Sequence, residues 1–291
     1  MNMNKQEKLA LEADGALLGC AVIWGGGFVA AKIALASISP LYVLALRVLG
    51  AGLLLAALFW KRMKLLDKET IKVGALLGSV LLVGQALQIV GLQYTQPGKQ
   101  GFLVASYTLL IPFVSWIILK RRPQAPAIIA GIVMLAGIGC LSLGKGMSIA
   151  LGDGLSITSA VVFAVQMVLI SVMVRKYDPL QLSVLQLIFA GVIALVLAVV
   201  FEPPIAQVSQ ESAWAVAYLL LINTAVASSV QNVAQKYTSA THSSIILSLE
   251  SLFSLIFSIL LLNEVFTAKM VVGVVLIMIA LAVSKLEKVV T

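Results

Sequence analysis

One histidine and two cysteines are all this sequence offers of the side chains most used for metal ligation and nucleophilic chemistry. His242 stands alone, and Cys20 and Cys140 both lie inside apolar runs, so no zinc cluster, histidine-based acid/base pair or disulfide framework is indicated. Charge is equally scarce. Asp, Glu, Lys and Arg make up 11% of the chain, against 61% hydrophobic residues and a mean hydropathy of +1.08. Soluble domains carry about 25% charged residues, so the composition is that of a polytopic membrane protein. The longest polar connections are only 61–70 and 202–212, too short for a soluble catalytic or ligand-binding domain. Asp178, Glu202, Glu211 and Glu264 stand apart from one another, and Gly25–Gly27 lacks the spacing of a nucleotide-binding loop. The chain therefore reads as a non-enzyme with no cofactor and no metal.

What is present is a series of long apolar runs. At about 20 residues per bilayer crossing, they fall at 14–36, 40–60, 71–93, 98–119, 125–143, 153–174, 179–200, 212–235, 240–262 and 267–285. The run after 1–13 is too long for a signal-peptide core and lacks a small-residue cleavage site, so it is expected to stay as the first span. Ten spans place both termini on one side. Basic residues say which: Lys5, Lys8, the group Lys61, Arg62, Lys64, Lys68 and Lys72, then Lys120–Arg122, Arg175, Lys176, Lys236, Lys285 and Lys288 hold 15 of the 20. All sit at the termini and even-numbered connections, which predicts cytoplasmic termini in the cell membrane. The same placement accounts for the net charge of +8 without invoking nucleic acid.

An internal repeat follows. A shift of 139 lays Asp14-Gly15 on Asp153-Gly154, Pro40-Leu41 on Pro179-Leu180 and Ala51-Gly52 on Ala190-Gly191; a shift of 143 lays Tyr94-Thr95 on Tyr237-Thr238. Five spans per half is odd, so the second half enters from the opposite side. The expected fold is an all-α, inverted five-plus-five repeat: a segment 1–13, a first repeat 14–143, a connection 144–152, a second repeat 153–285 and a tail 286–291.

The offsets pair polar or aromatic positions near the centre of each half: Trp24 with Phe163, Arg47 with Gln186, Gln88 with Gln231, and Tyr107 with Glu250. A carboxylate at the depth of Glu250 costs about 2.5–3.5 kcal/mol on insertion scales. It is either bonded to a neighbouring helix or faces a wet cavity. Arg47 lies within snorkelling reach of the interface, yet it and Glu250 are the only strongly ionisable residues of opposite sign well inside spans. They either compensate each other or bind the two charges of a zwitterion. Lys32 is expected to snorkel. Gln85 shares a face with Gln88, and Gln166 is the lone amide of its span, giving neutral hydrogen-bonding capacity suited to a small organic solute. Gly25, Gly26 and Gly27 admit two readings, close helix packing or an unwound segment facing solute, and the latter adds Gly26 to the site. Pro112 should bend the fourth span; its repeat partner is Leu255, so the halves need not bend alike.

The run Ile23-Trp24-Gly25-Gly26-Gly27-Phe28, followed by Pro40 and Leu46-Arg47, resembles the opening of EamA-type carriers of the drug/metabolite transporter superfamily. Leu249-Glu250, then Leu260–Glu264 and the span holding Gly273, is similar to that family's closing signature. Ser251 stands where the family usually has proline, and Arg121 occupies the first-half position equivalent to Glu264. The resemblance implies a secondary carrier with a central cavity, most readily an exporter of amino acids or related metabolites. Uptake of a vitamin-like or nucleotide-type solute is the alternative; a membrane enzyme or scaffold ranks lower. Glu250 is the deep acid available to carry a coupled proton. One chain suffices to enclose a pathway, and a dimer is left open.

Overall fold

The computed structural model describes residues 5–120, 122–142, 149–238 and 240–284. Arg121, Lys145, Lys285, Lys288, most of the expected connection 144–152 and the tail 286–291 therefore lie outside the described residues. Among those described, helices account for every regular element. Eight helical stretches are long and apolar enough to cross a bilayer, and two shorter apolar ones, Ile128–Leu141 and Ala268–Ala280, complete ten.

The first half runs α1 (Lys5–Ala34), α2 (Pro40–Leu58), the short α3 (Trp60–Met63), α4 (Lys68–Gln93), α5 (Pro97–Ala105), α6 (Tyr107–Leu119) and α7 (Ala125–Ser142). The second runs α8 (Leu151–Met173), α9 (Pro179–Phe201), α10 (Gln210–Tyr218), a π-helical segment (Leu219–Val226), α11 (Ala227–Ala234), α12 (Ala240–Leu247), α13 (Glu250–Leu262) and α14 (Ala268–Ser284). Large apolar side chains such as Ile132, Leu135, Val200 and Leu260 face outward, while Gln100, Gln186, Asn232 and Ser254 are buried. Polar groups inside and hydrocarbon outside is the arrangement a lipid solvent selects.

Small residues set the packing between halves. α2 lies mainly against α9, and α7 against α14. A Cβ on Gly52 would come 2.9 Å from the Ile188 amide nitrogen, and one on Gly191 would come 2.5 Å from the Leu49 backbone. Gly52 and Gly191 are repeat equivalents at the 139-residue offset, as are Leu49 and Ile188, so the contact is reciprocal. Close approach of backbones supplies the van der Waals contact that drives helix association in lipid. The helix ends here are also tied across halves. Glu202 at the end of α9 accepts from the Leu41 and Tyr42 amides that open α2, at 2.9–3.1 Å. Asp178 caps α9 through Leu180 and Gln181 and pairs with Arg62 at 2.5 Å.

The fourth and ninth spans break at equivalent places. Ser106 separates α5 from α6 with φ −59° and ψ −16°; Leu249, 143 residues later, opens α13 with φ −62° and ψ −15°. Local serines are bonded backward at both breaks, Ser106 to the Leu103 carbonyl and Ser248 to that of Ile245, each at 2.6 Å. The next bonds tighten to i+3, from Leu109 to Ser106 and from Leu252 to Leu249. Pro112 therefore does not set the two halves apart: the second half loosens without a proline, because serine hydroxyls compete for the carbonyls of the preceding turn. Both halves also end this span on a left-handed residue, Lys120 and Asn263.

Gly191→Ala should destabilise the detergent-purified protein by about 1–3 kcal/mol, the usual cost of overpacking. Gly15→Ala, with nothing within 4 Å of its new Cβ, should not lower the melting temperature. Thermal unfolding of the two variants side by side checks the contrast.

Candidate functional site

A cavity of about 120 Å³ lies between the two halves. Trp24 and Gly27 of α1, Arg47 of α2, Gln85 and Gln88 of α4, and Tyr107 at the start of α6 line it from the first half. From the second come Phe163 and Gln166 of α8, Gln186 of α9, Gln231 of α11 and Glu250 at the start of α13. Both members of each of the four repeat-related pairs thus line the same space. Tyr107 and Glu250 stand immediately after the two equivalent helix breaks, which turn them inward.

Gly26 is the exception to the expected set. α1 is continuous through its three glycines rather than unwound, and all three serve packing. A Cβ on Gly25 would meet the Glu250 carbonyl and Ser254 amide at 2.9 Å; on Gly26 it would meet the Tyr218 hydroxyl at 3.0 Å and the Phe257 ring at 3.7 Å; on Gly27 it would run into the Asn223 side chain. Gly26 faces α10 and α13, away from the cavity, because the helical turn of about 100° per residue gives the cavity-facing position to Gly27.

Gly26 and Gly27 let the end of α10 and the π segment close on α1. There the Tyr218 hydroxyl and the Asn223 side-chain amide both donate to the Ile23 carbonyl, at 2.8 and 3.1 Å, and the Trp24 indole donates to the Asn223 carbonyl at 2.9 Å. One wall of the cavity is thereby fixed in position. Lys32 does not reach for the interface alone: its ammonium binds the Leu92 and Thr95 carbonyls at 2.7 and 3.0 Å. The carbonyls left over at the end of α4 give it a nearer partner.

Arg47 and Glu250 are both buried, and no ion pair joins them within 4.0 Å among the described residues. Arg47 Nε, Gln85 Oε1, Gln100 Oε1 and the Tyr107 hydroxyl make no hydrogen bond among the described residues. Gln166 and Gln186 are only loosely joined at 3.4 Å, while Gln231 and Gln235 both turn their amides to the Met167 sulfur. The lining thus keeps a guanidinium, a carboxyl group and several amides facing one space. Among the described residues no group of three or more His, Cys, Asp or Glu could hold a metal.

Gln100, Asn223, Thr224 and Ser228 also line the cavity. Gln100 was hidden by its place two residues into an apolar run, where an interfacial position is the natural reading; its amide instead binds the Gln88 carbonyl and the Ser156 hydroxyl at 2.8 and 3.0 Å. Asn223 was visible as a polar residue of the eighth span, but the π segment that presents it leaves no sequence signature.

The sequence profile described as the EamA-like transporter family matches residues 12–143 and again 150–285. A protein of Archaeoglobus fulgidus named "Uncharacterized transporter" is 30% identical over 277 residues, covering 95% of this chain and 87% of its own. YoaV of Bacillus subtilis, also named an uncharacterized transporter, is 24% identical over 270 residues, 90% of this chain and 92% of its own. A crystal structure at 15% identity superposes with a TM-score of 0.73 over 94% of this chain and 98% of the other, a likeness of fold.

Gly27→Ala should displace Asn223, break the bonds that join α1 to the π segment and lower stability by about 1–3 kcal/mol. Tyr107→Phe removes a buried hydroxyl without a partner and should hold or raise the melting temperature of the solute-free protein. Differential scanning fluorimetry distinguishes the two directions.

Proposed function

The chain belongs to the EamA-like transporter family, and from that premise we propose that it is a secondary carrier exporting amino acids or closely related zwitterions by alternating access through the central cavity. The observation that carries this reading is the separate burial of Arg47 and Glu250 in one cavity without an ion pair between them. A guanidinium, charged at any relevant pH, offers two parallel donors to a carboxylate. Glu250 offers an acceptor to an ammonium. A solute bearing both charges neutralises both residues at once and lets the neighbouring amides complete its hydrogen bonds. A bare inorganic ion would compensate one charge and leave the other.

The chain sits in the cytoplasmic membrane with both termini inside, as its basic residues suggest. Its two repeats, taken as 14–143 and 153–285, enclose the pathway in a monomer. Glu250 takes up the coupled proton when the ammonium has left. A flat solute of nucleotide or vitamin type is favoured by one feature alone, the aromatic trio Trp24, Tyr107 and Phe163 on the lining.

Ligand-induced thermal stabilisation tests the reading. A neutral amino acid at 100 times its dissociation constant should stabilise the purified protein by about 2.7 kcal/mol, and its decarboxylated and deaminated analogues should do less. Arg47→Ala should erase the advantage over the amine, and Glu250→Gln the advantage over the acid. Stabilisation by nucleosides and not by amino acids would transfer the assignment to the flat solute. In flux assays, Glu250→Gln should also abolish pH dependence; unchanged dependence removes the proton from Glu250.

A further inference from the structure

The repeat offsets join two further sets of residues that the cavity does not use. Asp14 corresponds to Asp153 at 139 residues, and Lys99 to His242 at 143. In the folded chain these four meet as two contacts: Lys99 Nζ lies 2.5 Å from Asp153 Oδ2, and His242 Nε2 lies 2.9 Å from Asp14 Oδ1. Each contact ties one half to the other. Asp153 on α8 holds Lys99 on α5, and Asp14 on α1 holds His242 on α12.

The two contacts lie at opposite faces of the membrane. By the alternation of spans, α5 and α8 begin at one face, while α1 and α12 begin at the other. Tyr107 follows Lys99 by eight residues (107 − 99), and Glu250 follows His242 by the same number (250 − 242). That is about 12 Å of helix at 1.5 Å per residue. The cavity therefore sits between the two contacts, about equally far from each.

We propose that Lys99–Asp153 and His242–Asp14 are the two latches of the carrier, each closing the cavity to one face; this rests on the alternating-access reading above. Moving the halves apart at one face breaks the contact there and leaves the other intact, so the pathway cannot open to both sides while one latch holds. The two ends differ in this structure. The side chains of Lys99 and Asp153 are 16% and 1% exposed, and Thr95 adds a second bond to Asp153 at 3.0 Å. Beside them the backbones of Gly91 and Gly152 touch: a Cβ on Gly152 would stand 2.7 Å from the Gly91 carbonyl. At the other end His242 and Asp14 are 40% and 33% exposed. The equivalents of Gly91 and Gly152 there are Ala234 and Ala13, each of which carries a methyl group in place of the glycine hydrogen. The Lys99 end is the more tightly shut.

The test reads the accessibility of the cavity from each face. Ser228→Cys, on the lining, is introduced with Cys20→Ser and Cys140→Ser, and labelled by a membrane-impermeant maleimide in right-side-out and inside-out vesicles. Asp153→Asn should raise labelling from the Lys99 face relative to the other by about tenfold, as expected for loss of a charge-assisted hydrogen bond; Asp14→Asn should move the ratio the opposite way. The charge exchange Lys99→Asp with Asp153→Lys should restore the starting ratio, which a folding defect would not. Shifts in the same direction, or none, overturn the latches while leaving the carrier standing. Labelling from one face only in every variant overturns alternating access itself.

Discussion

A bilayer offers no water to an unpaired charge, and the placement of Arg47 and Glu250 follows from that constraint. Both residues are buried at membrane depth, and neither neutralises the other directly. Neutral amides from α4, α8, α9 and α11 line the same space, and two helix breaks aim Tyr107 and Glu250 at it. Held apart, the two side chains are free for the two charges of the proposed zwitterion.

The rest of the architecture makes that separation rigid. Reciprocal glycine contacts between α2 and α9 fix the halves at backbone distance. Glu202 then caps α2 across the interface, and at the other end Asp178, which caps its own α9, pairs with Arg62. On the other wall, Gly27 of α1 admits Asn223 of the π segment, which shares the Ile23 carbonyl with Tyr218 at the end of α10. π-helical turns are costly and concentrate at functional sites. Here the turn brings an amide and the Trp24 indole into register with the cavity.

Much of this was legible in the residues. The spans follow from hydropathy, the inverted repeat from constant offsets, and the cavity lining from asking which polar positions the offsets superpose: Arg47, Gln88, Tyr107, Gln186, Gln231 and Glu250 all line one space. Three features were not legible, each for a physical reason. The choice of Gly27 over Gly26 depends on helix rotation, which three identical residues do not encode. The break at Leu249 depends on serine hydroxyls turning back on their own helix, a choice that proline counting misses. The pairing of Asp14 with His242 joins residues 228 apart in sequence, and only the assembled halves bring it about.

Solute counterflow in proteoliposomes bears most directly on a shared central pathway for both charges of a zwitterion. Vesicles preloaded with an unlabelled neutral amino acid should transiently concentrate the labelled compound, chemically unchanged, and Arg47→Ala and Glu250→Gln should each abolish that overshoot while remaining folded in the membrane. An overshoot that persists in both variants, or a labelled compound recovered in altered covalent form, would contradict it.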